Sequence, residues 1–290
     1  MGSPRDTAYA DAATQRARAA TVRPGDDWSR VLDPPVRVLT ELGGVVRLGG
    51  QVLWSLVRHP RGHWAETRDE MYRVLTRSAV PMVLAVFTFA LMIGILGLNF
   101  LNLLGAAYRY GQYFFIVNTR DFTPWINSMV VAGIVGTALT ADLGARVIRE
   151  EIDALEVLGL DPVRELVVPR VLSISLLTPL LMVVSLVMGI VGGLYSTVTY
   201  GDVPAADYWD TLFKNLTSVE LVVAVGKSAV VGFVTGIVCA HKGLTARGGS
   251  IGVGRAVNEA VVMAFVLVFL VDFAVNVSAL GLFPEMGSVR

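Results

Sequence analysis

The chain has 290 residues, of which 54% are hydrophobic and 17% charged, and its mean hydropathy is +0.61. Long apolar runs at this composition are typical of proteins that cross a membrane several times. The 24 basic and 24 acidic side chains cancel, so no excess positive charge favours nucleic acid. One cysteine and three scattered histidines provide neither a disulfide within the chain nor a metal-ligand spacing.

The N-terminal quarter of the sequence contains two different patterns. Residues 1–28 are rich in Ala, Arg, Asp and Thr and contain no apolar run, which predicts a flexible tail. Residues 29–77 interleave apolar side chains with Arg37, Glu41 and Arg47. That pattern predicts an amphipathic helix lying in the membrane surface, although a helix packed on the protein's own polar surface would share it.

Five apolar runs follow, each about as long as the roughly 20 helical residues that cross a bilayer. They predict an all-α integral membrane protein with five transmembrane helices in one domain at 78–282, followed by a short tail at 283–290. Three glycines in the third run, at positions 189, 192 and 193, are predicted weak points of that helix. The runs are 78–104, 124–143, 167–200, 221–240 and 261–282.

Basic residues are distributed unequally between the two sides of the predicted membrane. Segments 1–78, 141–170 and 241–257 contain 19 Lys and Arg residues, and the segments of the opposite side contain four. The side with more Lys and Arg is normally cytoplasmic. The N-terminus is therefore predicted in the cytoplasm and the C-terminus outside.

The stretch 136–171, between the second and third runs, is dense in charge. An unpaired charge at the bilayer centre costs at least about 2.5–3.5 kcal/mol, so this stretch must leave the membrane. Ile148, Ile152 and Leu155 recur at helical spacing and predict a short amphipathic helix at about 147–158. Gly159 is placed to end it, and Asp161-Pro162 to begin the next helix. A simple linker and a docking element both fit this pattern.

This stretch resembles the signature of the MlaE/YrbE permeases, the membrane subunits of Mla- and Mce-type lipid-transport ABC systems, in the runs EEIDALEVLGLDP at 150–162 and LVVPR at 166–170. The similarity extends over about residues 30–282 and favours the Mce-associated YrbE branch. It implies that the short helix is a coupling helix docked on a cytoplasmic ABC ATPase. Ile152 and Leu155 would anchor it there or pack it on the spans, beside the charged residues Arg149, Glu150, Glu151, Asp153 and Glu156.

The resemblance also implies partners. ATP and Mg would be bound by the ATPase, so no cofactor is expected in this chain, which contains no recognisable catalytic arrangement and is not expected to be an enzyme. A second permease subunit, identical or paralogous, would pair with it in the cell membrane. Substrate-binding proteins of the Mce or MlaD type would dock on the outer side, and membrane lipids would supply the substrate.

Two charged residues, Lys227 and Asp272, fall inside the fourth and fifth apolar runs. Isolated charges there are costly, so an ion pair or a water-filled cavity is expected. The pair would fix the packing of two helices or belong to the transport pathway. The glycine-rich segment 243–254 is predicted to be a loop, either a flexible turn or a set of backbone N–H groups for a phosphate.

Two other classes of function compete with an ATP-driven permease. A secondary transporter would use Lys227 and Asp272 for proton coupling and would need no ATPase. A membrane scaffold for outer partners would transport nothing. The signature stretch favours the permease over both.

Overall fold

The structure, a computed structural model, describes residues 27–58, 63–201 and 203–283, with side chains described from residue 39 onward. These residues form helices and short connections, without a β-strand among them. Most of the predicted tails at 1–28 and 283–290 lies outside the described residues. The α-helices are α1 Asp27–Arg58, α2 Trp64–Leu103, α3 Tyr110–Val117, α4 Thr123–Val130, α5 Thr137–Ile148, α6 Glu151–Val157, α7 Val168–Tyr200, α8 Ala205–Asn215, α9 Ser218–Leu244 and α10 Gly249–Leu282.

Five helical stretches in the described residues are long and apolar enough to cross a membrane, which confirms the predicted all-α integral membrane fold. All five belong to one compact unit that starts at Leu48. Span 3 packs against spans 1 and 4, span 4 packs against span 5, and span 2 contacts the other four. The spans are span 1 Trp64–Leu103, span 2 Ala107–Ile148, span 3 Val163–Tyr200, span 4 Ser218–Leu244 and span 5 Gly249–Leu282.

Several helices are longer than the apolar runs that predict them, because each helix continues into polar residues beyond the hydrocarbon. Residues 64–77, assigned from the sequence to the interfacial region, are the first turns of span 1. The predicted interfacial helix is present as α1, and its place in the membrane surface stays a prediction. The predicted loop 243–254 is mostly helix. Only residues 245–248 form the turn. Helix α10 begins at Gly249, and Gly248 and Gly249 both have positive φ angles.

The glycines of span 3 are sites of close packing, and their being weak points of the helix stays a prediction. Helix α7 runs unbroken through them. A Cβ atom at Gly189 would lie 2.5 Å from Asn118 Oδ1, and one at Gly193 would lie 2.3 Å from Phe114 Cε1. Glycine lets neighbouring helices approach more closely than any side chain permits. These residues therefore bring span 2 against span 3.

Span 2 is less regular than the other spans, since two widened π turns interrupt it at Asn118–Phe122 and Val131–Gly136. Such turns are rare and frequently occur at functional sites. Before the first turn, α3 packs under the surface helix α8 in an aromatic cluster that includes Tyr110, Phe114 and Tyr208. Gly111 allows this contact, because a Cβ atom there would lie 2.2 Å from the carbonyl oxygen of Tyr208.

Replacing Gly111 by alanine is expected to destabilise the protein by about 1–3 kcal/mol, because a backbone atom must move to admit the methyl group. Gly226→Ala is the matched control, since a Cβ atom at Gly226 meets nothing within 4 Å. Thermal unfolding of the detergent-solubilised variants measures both. A midpoint for Gly111→Ala equal to that of Gly226→Ala would contradict the described packing of α3 on α8.

Candidate functional site

The charged stretch between spans 2 and 3 contains a helix shorter than the predicted 147–158. Helix α5 ends at Ile148, and α6 covers only Glu151–Val157. Glu150 separates them with φ +59° and ψ +18°, the left-handed conformation that non-glycine residues rarely adopt. The predicted apolar stripe is therefore divided, because Ile148 belongs to the preceding helix. We call residues 149–160 the coupling segment, after the coupling helix predicted there.

The end of α6 and the start of span 3 have the predicted caps. Gly159 has φ +75°, the N–H of Leu160 donates to the carbonyl of Leu155 at 3.0 Å, and the N–H of Gly159 donates to that of Glu156 at 2.9 Å. These two bonds form a Schellman motif. The carboxylate of Asp161 then accepts a bond from the N–H of Val163 at 3.0 Å, which caps the next helix.

The coupling segment presents acidic and apolar side chains together at its surface. Glu150, Asp153 and Glu156 are exposed, whereas Ile152 and Leu155 are half-buried. Val157 and Leu158 are 88% and 74% exposed, and they are not among the contact residues predicted from the sequence. In the sequence, an apolar pair directly before a capping glycine could have indicated their exposure. Exposed aliphatic groups beside like charges are suited to a protein partner rather than to water alone.

Two predicted contact residues, Arg149 and Glu151, pair with each other. The Glu151 carboxylate accepts a bond from Arg149 Nε at 2.7 Å and another from Arg146 Nη1 at 3.1 Å. Asp142 continues this chain, because it lies 3.3 Å from Arg146 Nε and 2.7 Å from Nη2 of Arg170 in span 3. The chain of ion pairs therefore connects α6 to spans 2 and 3.

Replacing Glu151 by glutamine is expected to loosen α6, because it removes two partly exposed ion pairs worth about 0.2–1 kcal/mol each. Amide hydrogen exchange of residues 151–158 should accelerate roughly fivefold. Asp153→Asn is the control, since Asp153 is exposed and makes no ion pair with a described residue. Equal exchange rates in the two variants would show that the chain of ion pairs does not hold the segment.

The second predicted site, Lys227 and Asp272, forms a buried ion pair with 2.6 Å between Lys227 Nζ and Asp272 Oδ1. The two residues are 2% and 3% exposed. Lys227 Nζ also donates to the carbonyl of Arg120 at 2.6 Å and to Asn276 Oδ1 at 3.0 Å. Asp272 Oδ2 accepts a bond from Trp125 Nε1 at 2.8 Å. Both charges are thus paired and hydrogen-bonded, as a buried pair requires.

The pair belongs to a larger network that the sequence reading missed. Asn276 Nδ2 donates to Asp121 Oδ1 at 3.1 Å, and Arg120 pairs with the buried Glu220 at 2.6 Å. The sequence reading placed Arg120 outside span 2, whereas the structure places it in the first π turn. Two signals pointed to this network: adjacent charges just before the predicted second run, and an asparagine one helical turn after Asp272.

The structure does not bring the two sites together. Arg120 and Ile148 are both in span 2, separated by 28 residues, which corresponds to roughly 40 Å of helix at about 1.5 Å per residue. The coupling segment is at one end of the spans, and the charge network is nearer the other. Any communication between them has to pass along the helices.

Removing one member of the buried pair is expected to cost about 3–5 kcal/mol, because the remaining charge is left buried without its counter-ion. Lys227→Met and Asp272→Leu should each lower the thermal unfolding midpoint strongly. The double variant should lose less stability than the sum of the two, since it leaves neither charge uncompensated. Additive losses in this double-mutant cycle would contradict a direct pair.

Five helices able to span a membrane, with a polar, capped helix between spans 2 and 3, define a polytopic membrane protein. Residues 67–278 match the family model described as Permease MlaE, and the chain belongs to that family. It is 30% identical over 230 residues to the chloroplastic protein TRIGALACTOSYLDIACYLGLYCEROL 1 of Arabidopsis thaliana, which is 79% of this chain and 65% of that protein.

Two further relatives are each named a probable ABC transporter permease protein. The one from Pyropia yezoensis is 31% identical over 173 residues, which cover 60% of this chain and 66% of the relative. The one from Synechocystis is 33% identical over 170 residues, covering 58% and 64% respectively. The chain thus spans slightly less than two thirds of the length of each curated relative described here.

Proposed function

We propose that this protein is the permease subunit of an ATP-driven transporter that moves a lipid or another hydrophobic substrate. The names of the Pyropia and Synechocystis relatives support the transporter class, and the diacylglycerol lipid in the name of the Arabidopsis relative supports the substrate class. The observation that carries the proposal is the coupling segment. It is a helix held between two spans and presenting exposed acidic and apolar groups.

In this proposal the coupling segment docks on a separate ABC ATPase, which binds ATP and Mg. Glu150, Asp153 and Glu156 meet basic groups of the ATPase, and Val157 and Leu158 enter an apolar groove. Arg149 and Glu151 also pair with each other within the segment, and their contact with the ATPase stays part of the proposal. Glu151 holds α6 to Arg146 of span 2, and Asp142 joins Arg146 to Arg170 of span 3, so a displacement of α6 is transmitted to both spans.

The remaining partners belong to the same proposal. A second permease subunit, identical or paralogous, covers part of the apolar surface of the spans, and Mce- or MlaD-type proteins receive the substrate on the outer side. In the most apolar stretches of spans 1 and 5, only 28% and 22% of the residues are buried within the chain. This leaves surface for a partner subunit and for lipid. The distribution of Lys and Arg supports a cytoplasmic N-terminus and a coupling segment facing the cytoplasm.

One observation favours a second candidate, a secondary transporter coupled to protons. The charge network joins two cations to three carboxylates inside the spans, and such groups frequently form proton relays. This candidate needs no ATPase. It predicts that changes at Asp121 or Asp272 abolish transport, whereas changes in the coupling segment have little effect.

Reversing the exposed charges of the coupling segment is expected to abolish ATPase binding, because like charges would then face each other across the interface. Asp153→Arg and Glu156→Arg test this in co-purification from a host that expresses the genes neighbouring that of this protein. Asp210→Arg is the matched control, an exposed acid on the surface helix α8 between spans 3 and 4.

An ATPase that co-purifies with the wild type and the control, and is lost from both reversals, would support the permease. If no ATPase co-purifies, or if the reversals retain it, the proposed role of the coupling segment is wrong. Proton-driven transport by the purified protein alone would then identify the second candidate.

A further inference from the structure

A cavity of about 290 Å³ lies between spans 1, 2 and 3, at the end of these helices that carries the coupling segment. Its wall is divided into a charged part and an apolar part. The charged part consists of Glu70, Arg73, Arg77, Asp142 and Arg170. The apolar part consists of Val74, Ile134, Val135, Ala138, Leu139 and Ile174.

The helical register explains why charge collects at one end of this cavity. Asp142 is one turn nearer the coupling segment than Ala138, and Arg170 precedes Ile174 by one turn. Glu70, Arg73 and Arg77 share one face of span 1 just before its long uncharged run, which starts at residue 78. The charged part therefore lies where the chain passes from the polar layer into the hydrocarbon.

The cavity has a basic excess that its own acids do not neutralise. Glu70 pairs with Arg73 at 2.7 Å, and Asp142 pairs with Arg170 at 2.7 Å. Arg77 is exposed and makes no ion pair with a residue that the structure describes. A long arginine side chain on a helix points back toward the helix N-terminus, which here is the polar end, and extends its head to the interface.

We propose that this cavity binds the headgroup of an anionic phospholipid, with its phosphate on Arg77 and Arg73. Guanidinium groups match phosphate oxygens with paired hydrogen bonds. The apolar wall continues from the charged part along Ala138, Ile134 and Ile174, and accommodates the start of an acyl chain. A free phosphate ion would leave that wall without a ligand, which favours the lipid as the occupant.

This site goes beyond the proposed function, because it requires neither an ATPase nor transport. Three spans of one chain form it, so a single permease subunit is enough to provide the complete site. Its ligand is identified by chemistry alone: a phosphate headgroup with a net negative charge, without an attached cation, joined to a hydrocarbon chain.

Native mass spectrometry of the purified full chain in detergent tests the proposal, with phosphatidylglycerol and phosphatidylcholine as probes. The wild type should bind the anionic lipid in preference to the zwitterionic one. Arg77→Gln should weaken phosphatidylglycerol binding about tenfold, because a charge-assisted hydrogen bond to the phosphate is lost. Arg68→Gln is the matched control, an exposed arginine on the same helix that lies outside the cavity and should bind as the wild type does.

A second variant tests the apolar wall without changing charge. Ala138→Phe should weaken phosphatidylglycerol binding while leaving the affinity for inorganic phosphate unchanged. If inorganic phosphate displaces the lipid and Ala138→Phe has no effect, the site binds phosphate ions and the lipid assignment is overturned. Equal losses in Arg77→Gln and Arg68→Gln, or a loss in neither, would also overturn it. These outcomes are independent of ATPase co-purification, so either proposal can fail alone.

Discussion

The cost of placing charge in hydrocarbon is the constraint on which the rest of this structure depends. Spans 2, 4 and 5 nevertheless carry Arg120, Asp121, Glu220, Lys227 and Asp272, which are linked by ion pairs and by the amide of Asn276. Each contact joins different helices, so the pairing also specifies which spans are neighbours. The π turn of span 2 contributes by presenting the carbonyl of Arg120 to the ammonium group of Lys227.

Outside the spans, the same constraint produces the coupling segment. Its acidic residues leave the membrane on a helix of seven residues, bounded by left-handed backbone at Glu150 and Gly159. Such a short helix is not stable by itself, because ordering its first turn costs more conformational entropy than its first hydrogen bond offsets. Glu151 compensates by linking it to Arg146, and Asp142 extends the chain to Arg170. This construction makes the segment a firm attachment point on the spans for the proposed ATPase.

Local features of the site are easier to predict from sequence than the pairings between its residues. The caps at Gly159 and Asp161 were predicted correctly, because they depend on backbone preferences of neighbouring residues. The ion pair of Glu151 with Arg146 was not predicted, since a carboxylate on a helix surface looks the same in sequence whether it faces a partner or an arginine five residues away. Glu220 and Asp121 were missed because charges near the ends of predicted spans are ordinarily solvated.

The amino-acid sequence by itself determined the all-α membrane fold, the five spans, the polar stretch between spans 2 and 3, and the membership of the MlaE permease family. Hydrophobic length and charge density act locally and are therefore readable without a structure. Only the tertiary structure decided which charges meet inside the spans, where glycine admits a neighbouring helix, and where three helices leave a cavity with an arginine at its mouth. Those features depend on distances between residues as many as 155 positions apart in the chain, which no local pattern encodes.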